Sequence, residues 1–345
     1  MSRKGSILVL VLFVLAILAL VGVSFAYRTG LGISEGRQEA VLAKLRSQAA
    51  SAAAIVTAQL VENTNDFDHP GEPWARQGLK DPGDYLDAWG TDLQHSARGP
   101  EYTVKLTVID ENRKLNLLYA SSKQLESIGL SPEQVQALTD WMDEDESAGR
   151  GGAESSFYAR WGYRSKNLPM IELEEMLLVA GLSDRAFYGQ ALASPFCRPM
   201  LAENRSRAAD DAPEEAPETG LVELLRCVGD YGINLNTAPE AVLRCLPITP
   251  EAVGQILAYR RFDPDSSGEL EDHVFAKVED IEQLQGLAPA DRAVLAEMGR
   301  FRSDHFRIFV VARHEPSGLE AGLEVLVDTT EGAPRVVRWK ESSGC

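Results

Sequence analysis

An uncharged apolar run near the N-terminus constrains this chain more than any other feature. No charged residue occurs between Lys4 and Arg28, and the residues between them are mostly Leu, Val, Ile, Phe and Ala. As a helix, residues 6–27 span about 33 Å, which is enough to cross a bilayer. Because the positive end of such a segment stays in the cytoplasm, the sequence predicts that the rest of the chain is exported.

Three interpretations of this run are open. In the first it is a secretory signal, since Ser24-Phe25-Ala26 has the small, any, small pattern at which such signals are cut. In the second it is an uncleaved anchor. In the third the cut falls between Gly5 and Ser6, which removes residues 1–5 as a leader and keeps the apolar helix, as in type IV prepilins. The short basic leader that ends in Gly directly before the apolar run favours the third.

The sequence beyond the apolar run favours more helix. No Pro occurs before Pro70, and apolar residues between Val41 and Leu60 recur at helical spacing. We therefore predict one helix over residues 6–62, with 6–27 in lipid and the remainder packed on a globular domain. Three glycines are candidate bend points: Gly30, Gly32 and Gly36.

Strand patterns occur at both ends of the remaining chain. Apolar and polar residues alternate over Tyr102–Asp110. Later β-rich runs occupy Phe306–Ala312, Leu323–Val327 and Val336–Trp339. Residues 115–299 between them have helical patterns. The predicted fold class is α+β: a long N-terminal helix packs on a small antiparallel sheet formed from residues 63–114 and 300–345, and a large α-helical domain is inserted between the strands.

The helical region contains an internal echo. Leu115-Asn116 followed by Ser131-Pro132-Glu133 resembles Leu235-Asn236 followed by Thr249-Pro250-Glu251. In each copy the hydroxyl can cap a helix, Pro suits the first turn, and Glu suits the positive end of the dipole. We therefore expect two related halves, separated by a flexible acidic linker at residues 203–219.

The composition excludes several classes of function. Acidic residues outnumber basic ones by 52 to 34, and the resulting net charge of -18 opposes binding to phosphate backbones. The five His residues form no metalloprotease motif, and no nucleophile elbow is present, so we do not expect an enzyme. The cysteines lack zinc-site spacing, and the sequence does not choose between disulfides and buried free thiols. They are Cys197, Cys227, Cys245 and Cys345.

Together these features resemble the K-type minor pseudopilins of bacterial type II secretion systems over nearly the whole chain. The resemblance rests on the leader ending at Gly5 and on the stretches Asp110–Asn116, Asp140–Asp145 with Gly152–Glu154, Ile233–Ala238 and Phe306–Ala312. It implies leader removal and N-methylation by a prepilin peptidase, an inner-membrane anchor, and a place at the tip of a periplasmic filament. The implied partners are I- and J-type minor pseudopilins and the major pseudopilin, with the outer-membrane secretin or secreted cargo as further candidates.

Leu10 gives this resemblance a physical meaning. In most pilins the fifth residue after the cut is Glu, whose carboxylate neutralises the terminal amine of the adjacent subunit in an apolar filament core. Leu10 occupies that position here. A subunit without the acid fits the start or cap of a filament better than its repeating body. One departure is Ser6 as the first mature residue, where major pilins have Phe.

An acidic loop is the strongest candidate site. With Asp143 as position one, Asp145 is position three and Glu154 position twelve of a calcium-binding loop. Ala148 stands at the sixth position, where a sharp turn needs Gly, so the loop is not a true EF-hand. Asp140, one turn earlier, could add a further oxygen. Two interpretations of this loop are open, a weak calcium site and a solvated acidic loop. A second, weaker candidate comprises Asp263, Asp265 and Glu271.

The alternative function is a membrane-anchored periplasmic protein that binds nucleic acid. Residues 233–262 and 278–287 resemble helix-hairpin-helix modules, some of which hold DNA phosphates through backbone N–H groups. Pro247 and Pro250 remove such donors from the turn. Arg260 and Arg261 form the single adjacent basic pair of this region, which is otherwise rich in acidic residues. We therefore expect this region to contact protein and not nucleic acid.

Overall fold

The N-terminal part is one unbroken helix, α1, from Arg3 to Glu62. The structure, a computed structural model, describes residues 3–63, 65–72, 74–75, 101–189, 219–260, 274–330 and 334–344. Gly30, Gly32 and Gly36 do not interrupt α1, although Gly costs about 1 kcal/mol relative to Ala in a helix. A side chain added at any of these glycines would meet no described atom within 4 Å, so this stretch of α1 makes no close contact with the other segments that the structure describes.

Four antiparallel strands form the sheet that supports α1. They follow one another in space as they do in sequence: β1 (Tyr102–Asp110), β2 (His305–His314), β3 (Glu320–Asp328) and β4 (Arg335–Gly344). The predicted strands are confirmed, and the three later ones are longer than their apolar runs. The second half of α1 packs on one face, where Leu45, Val56 and Leu60 meet Ile308 and Val325 in a shared core.

The insertion leaves and rejoins the head at neighbouring strands. Asp110 at the end of β1 is paired with Phe306 at the start of β2. A 3₁₀ turn, Glu111–Arg113, follows β1. In this turn the buried Asn112 accepts hydrogen bonds through Oδ1 from the backbone N–H groups of Asp304 (3.3 Å) and His305 (3.2 Å). We call this junction the neck.

Short helices around a separate core make up the insertion. They are α2 (Ser122–Ser127), α3 (Pro132–Met142), α4 (Ser155–Tyr158), α5 (Asp184–Tyr188), α6 (Leu221–Leu224), α7 (Glu240–Leu243), α8 (Pro250–Tyr259) and α9 (Pro289–Met298). Further 3₁₀ turns cover Ala159–Trp161, Leu173–Leu178 and Val278–Gln283. Leu138, Tyr158, Met176, Ile233 and Ile256 lie at the centre of the core, each with no exposed surface.

Both predicted caps of the insertion are present. Ser131 precedes α3 and accepts a hydrogen bond from the N–H of Gln134, and Thr249 precedes α8 and accepts from that of Ala252. In each helix Pro occupies the first turn. The N–H groups at the start of both helices are therefore partly satisfied by the side chains that the sequence indicated.

The two halves correspond, but at an alignment two residues from the expected one. Leu115–Asn116 forms a short parallel pair with Leu225–Arg226, and the matching pair of the second half joins Ile233–Asn234 to Gly299–Arg300. Asn116 therefore corresponds to Asn234, an offset of 118 (234 − 116), not to Asn236. The two helix-capping prolines have this same offset (250 − 132). The repeated aliphatic-Asn pattern of residues 233–236 offered both alignments.

Some sequence predictions lie outside the described residues. The acidic linker at residues 203–219 does so except for Thr219, which forms an isolated antiparallel bridge with Gly189. Asp263, Asp265 and Glu271 also lie outside them, as do Cys197 and Cys345. Cys227 and Cys245 are buried free thiols, and burial raises the pKa of Cys227 to about 11.

Candidate functional site

The first half of α1 presents apolar side chains to its surroundings. Large apolar residues between Leu10 and Ile33 are between 44% and 71% exposed, and none packs on the head. This is the single helix among the described residues that is long and apolar enough to cross a membrane. Leu10 itself is 62% exposed. Gly5 and Ser6 lie within the first turns of α1, and cleavage between them remains a prediction.

The insertion lies at the opposite end of α1 from this apolar half. Arg302, beside the neck, donates through Nη2 to the carbonyl oxygen of Asn63, the residue after the helix (3.3 Å). The N–H of Asp68 donates to the carbonyl oxygen of Phe301 (2.7 Å). A helix of 60 residues is about 90 Å long. The insertion therefore joins the head next to the C-terminal end of α1, far from the apolar half of this helix.

Three carboxylates converge at the predicted acidic loop. Asp140 lies in the last turn of α3, Asp143 directly follows α3, and Glu154 directly precedes α4. One oxygen from each lies within 4.8 Å of one oxygen from each of the others. Oxygen ligands in such a group suit a hard cation such as Ca²⁺. The structure thus brings together three of the four carboxylates predicted for this loop.

Two carboxylate oxygens of this cluster lack partners among the described residues. Oδ1 of Asp143 and Oε1 of Glu154 are buried and accept no hydrogen bond from them. Glu154 is only 2% exposed, and its second carboxylate oxygen, Oε2, accepts a hydrogen bond from Oγ of Ser165 (3.2 Å). Burial, followed by repulsion from Asp145 and Asp140, raises the pKa of Asp143. Burial also raises the pKa of Glu154, with Asp140 and Asp143 adding to the effect.

Glycine is required where the loop approaches Asp140. A Cβ at Gly152 would lie 2.0 Å from Oδ2 of Asp140, which is far inside contact distance. The N–H of Gly149 donates to the same oxygen (3.1 Å), and Gln136 donates to Oδ1 (2.7 Å). The lack of side chains at these two glycines lets the loop backbone reach the carboxylate of Asp140.

Asp145 does not join the cluster. Its Oδ1 accepts from the N–H of Ser147 (2.7 Å), which closes a small turn at the exposed tip of the loop. Residues that sequence reasoning missed are Ser165, which positions Glu154, and Gln136, which positions Asp140. The α-helical spacing of four residues between Gln136 and Asp140 is the signal that could have indicated the second contact.

The neck contains a buried acidic group that the sequence did not single out. Asn234 donates through Nδ2 to the backbone oxygen of Asp68 (3.2 Å), to Oδ2 of Asp110 (3.2 Å) and to Oγ of Ser303 (2.8 Å). Oδ2 of Asp110 also accepts from Thr237. Burial raises the pKa of Asp110. Burial raises that of Asp68 to about 8, with Glu72 and Asp110 adding repulsion.

A buried ionic network connects the neck to the sheet. Glu111 accepts from Lys114 and from Arg307, each at 2.8 Å, and Arg307 also pairs with Glu324 on β3. Burial by itself would raise the pKa of Glu111, but the two cations outweigh it and lower the pKa to about 2. The positive and negative charges of this network balance one another. Removing one partner would leave a buried charge uncompensated, so the network holds the neck firmly on the sheet.

Arg260 is not placed to hold a nucleic-acid phosphate. Its guanidinium donates to the carbonyl oxygens of Leu235 (2.6 Å) and Ala238 inside the insertion. Burial lowers its pKa to about 10. Arg260, which the sequence offered as a contact for DNA, thus stabilises the turn of residues 235–238 by hydrogen bonds to its carbonyl oxygens.

The fold and these features define a class: a pilin-like α+β protein with a helical insertion between the first two strands of its sheet. Residues 110–191 match the family model described as Type II secretion system (T2SS), protein K. No curated protein sequence matches significantly. This one matched region, which begins at the neck and continues into the first part of the insertion, carries the family signal at the sequence level.

A solved structure shares the fold. It is a chain of the crystal structure of the GspK-GspI-GspJ complex from the enterotoxigenic Escherichia coli type 2 secretion system, with a TM-score of 0.58 and 15% identity, covering 90% of this chain and 99% of that chain. The family match covers residues 110–191, which is less than half of the chain, and the shared fold covers 90% of the chain; both agree with the resemblance to K-type minor pseudopilins of type II secretion systems. The resemblance inferred from the sequence is confirmed.

Proposed function

We propose that this protein is a minor pseudopilin that assembles with I- and J-type minor pseudopilins to initiate and cap the pseudopilus. Its role is assembly and not turnover of a substrate. The proposal further places the apolar half of α1 in the bacterial inner membrane before assembly, with the N-terminus cytoplasmic and the head in the periplasm. The attachment of the insertion next to the C-terminal end of α1 is the observation that carries the proposal.

This position supports a cap for a steric reason. Subunits whose helices run side by side add to one another along the axis of α1. Phe301 and Arg302, directly after the insertion, contact the residues that follow α1, so the bulk of the insertion would obstruct a further head placed beyond this end of the helix. The match to a chain of a GspK-GspI-GspJ complex supports I- and J-type partners.

Leu10 supports the same position in the filament. Its apolar side chain cannot form an ion pair with the terminal amine of a neighbour. In an apolar helix bundle an unpaired charge is costly, so a subunit with Leu here cannot offer the compensating acid that a repeating subunit needs.

Mass analysis of the mature N-terminus, together with crosslinking in cells, tests this proposal. We expect a mature chain that begins at methylated Ser6, and a Leu12→Cys variant that crosslinks to a Cys in the N-terminal helix of an I- or J-type partner. A matched variant, Asp184→Cys on the insertion, should give no such product. A mature chain that begins at Tyr27, or no crosslink in cells that secrete normally, would exclude the proposal.

We propose a second property, that the cluster of Asp140, Asp143 and Glu154 binds a calcium ion. The two unpaired buried oxygens support it, because a cation would satisfy both and relieve the repulsion among three acids. The glycines near Asp140 support it as well, since they bring the loop backbone around the cluster.

Calorimetric titration of the full-length protein in detergent with Ca²⁺ tests this second property. Asp143→Asn should weaken binding at least tenfold. Asp145→Asn provides the control. It also removes one negative charge, only two residues from Asp143, but the Asp145 side chain lies outside the cluster. Equal weakening by both variants, or no heat of binding at millimolar Ca²⁺, would refute the site.

A further inference from the structure

One segment, residues 165–175, contacts the acidic cluster at its start and the sheet near its end. Ser165 donates through Oγ to Oε2 of Glu154 (3.2 Å). The next residue, Lys166, forms an ion pair with Oε1 of Glu175 at 2.8 Å. The same oxygen accepts from the backbone N–H groups of Ile171 (2.9 Å) and of the residue after it (3.1 Å). The segment is therefore closed into a loop by Glu175.

The closed loop meets β4 mainly through Arg338, and Nζ of Lys340 on the same strand lies 4.0 Å from Oε1 of Glu174. Arg338, on β4, donates to Oε2 of Glu172 (2.9 Å) and to both carboxylate oxygens of Glu174 (3.2 Å each). Its guanidinium also lies 3.7 Å from Oε1 of Glu324, which pairs with Arg307 in the neck network. The side chain of Arg338 is only 12% exposed. This contact holds the insertion on the sheet at a point remote in sequence from the neck.

We propose that cation binding at Asp140, Asp143 and Glu154 is energetically coupled to the docking of the insertion on β4 through Arg338. This inference rests on the proposed calcium site. The element with two arrangements is the loop of residues 165–175, either docked on Arg338 or released from it. Arg338 is a positioning residue: it holds the loop of residues 165–175 and touches no atom of the cluster.

The physical basis is the shared position of Glu154. A cation held by the three carboxylates fixes Glu154, and Glu154 fixes Ser165 by the hydrogen bond between them. With Ser165 fixed, Lys166 is held within reach of Glu175, which orients the backbone that carries Glu172. Thermodynamic linkage makes the effect reciprocal, so docking on Arg338 must strengthen cation binding by the same factor.

Calcium titration of the full-length protein in detergent tests the coupling. Arg338→Gln removes the docking contact without altering any carboxylate of the cluster. We expect its Kd for Ca²⁺ to rise about 5-fold or more, the lower end of typical coupling between sites. Arg338→Lys, which keeps one charge, should recover part of the affinity. The control is Arg335→Gln on the same strand, whose 76% exposed side chain pairs with Asp328; its Kd should stay within twofold of wild type.

Hydrogen exchange gives an independent measurement that needs no variant. Ca²⁺ added to the wild-type protein should slow exchange of the amides of residues 171–178, and Mg²⁺ at the same concentration should slow them less. An unchanged Kd in Arg338→Gln, or exchange in this segment that Ca²⁺ does not alter, would overturn the coupling and leave the calcium site intact. No Ca²⁺ binding by the wild-type protein would overturn both.

Discussion

Asp68 makes the stability of the head depend on pH near neutrality. Its carboxylate lies in the neck, where Oδ2 accepts from the N–H of Ser303 (2.7 Å) and Oδ1 accepts from Asn63 (3.0 Å). Burial, with repulsion from Glu72 and Asp110, raises its pKa from an ordinary 3.8 to about 8, against the smaller opposing effects of Ser303 and Arg302. The protonated form therefore fits the folded protein better than the ionised form.

The sign follows from linkage between protonation and folding. The folded state holds the Asp68 proton more tightly than the unfolded state, so the stabilising effect is complete below about pH 4 and is lost as the pH rises to about 8. One pKa unit corresponds to about 1.4 kcal/mol. Between pH 6 and pH 8 the free energy of unfolding should therefore fall by about 2 kcal/mol.

Asp68→Asn should remove most of this dependence, because the amide is neutral at every pH and has nearly the shape of the protonated acid. Denaturant unfolding of the full-length protein in detergent at pH 6, 7 and 8, followed by tryptophan fluorescence, measures the slope. Trp74, buried in the head near this site, reports on the region. The control is Asp66→Asn, an exposed acid two residues away. Parallel pH profiles for wild type and Asp68→Asn would refute the reasoning.

Three further predictions concern the insertion. Gly152→Ala should destabilise the folded protein by about 2 kcal/mol and abolish Ca²⁺ binding, because its Cβ would overlap Oδ2 of Asp140; normal binding would contradict this. Thr249→Ala should cost about 1 kcal/mol in denaturant unfolding through loss of the α8 cap, and an unchanged midpoint would contradict the capping role. Leu138→Ala should cost about 2–5 kcal/mol, whereas Leu178→Ala, at a 41% exposed site, should cost far less; equal losses would contradict the placement of the core.

Local features of this fold could be predicted from the sequence because neighbouring residues determine them. Alternation over residues 102–110 predicted β1 with its correct bounds. The hydroxyl and Pro pairs at residues 131–132 and 249–250 predicted the starts of α3 and α8, since a cap and a first-turn Pro act within one turn. The apolar run and its amphipathic continuation predicted α1.

Contacts between distant segments could not be predicted in this way. The neck joins Asp68, Asp110, Asn234 and Ser303, which no pattern in one window connects. The alignment of the two halves was misplaced because residues 233–236 contain two aliphatic-Asn pairs; the spacing of the two prolines agrees with Asn234, and the strand pairing identifies it. The loop predicted as a calcium site included Asp145. Its side chain instead accepts a hydrogen bond from the backbone N–H of Ser147, a local turn that the calcium-loop spacing does not indicate.

The pairing of Asp110 with Phe306 has a consequence for the route by which this chain folds. Residues 111–305 lie between two positions that are neighbours in the sheet. Closing a flexible loop of that length costs about 3 kcal/mol more than closing a hairpin of five residues. If the inserted domain acquires its own core first, its two ends already stand side by side, and β1 meets β2 almost as a hairpin would. Amino-acid changes that slow the folding of the insertion should therefore also delay formation of the sheet, although they lie far from any of its strands.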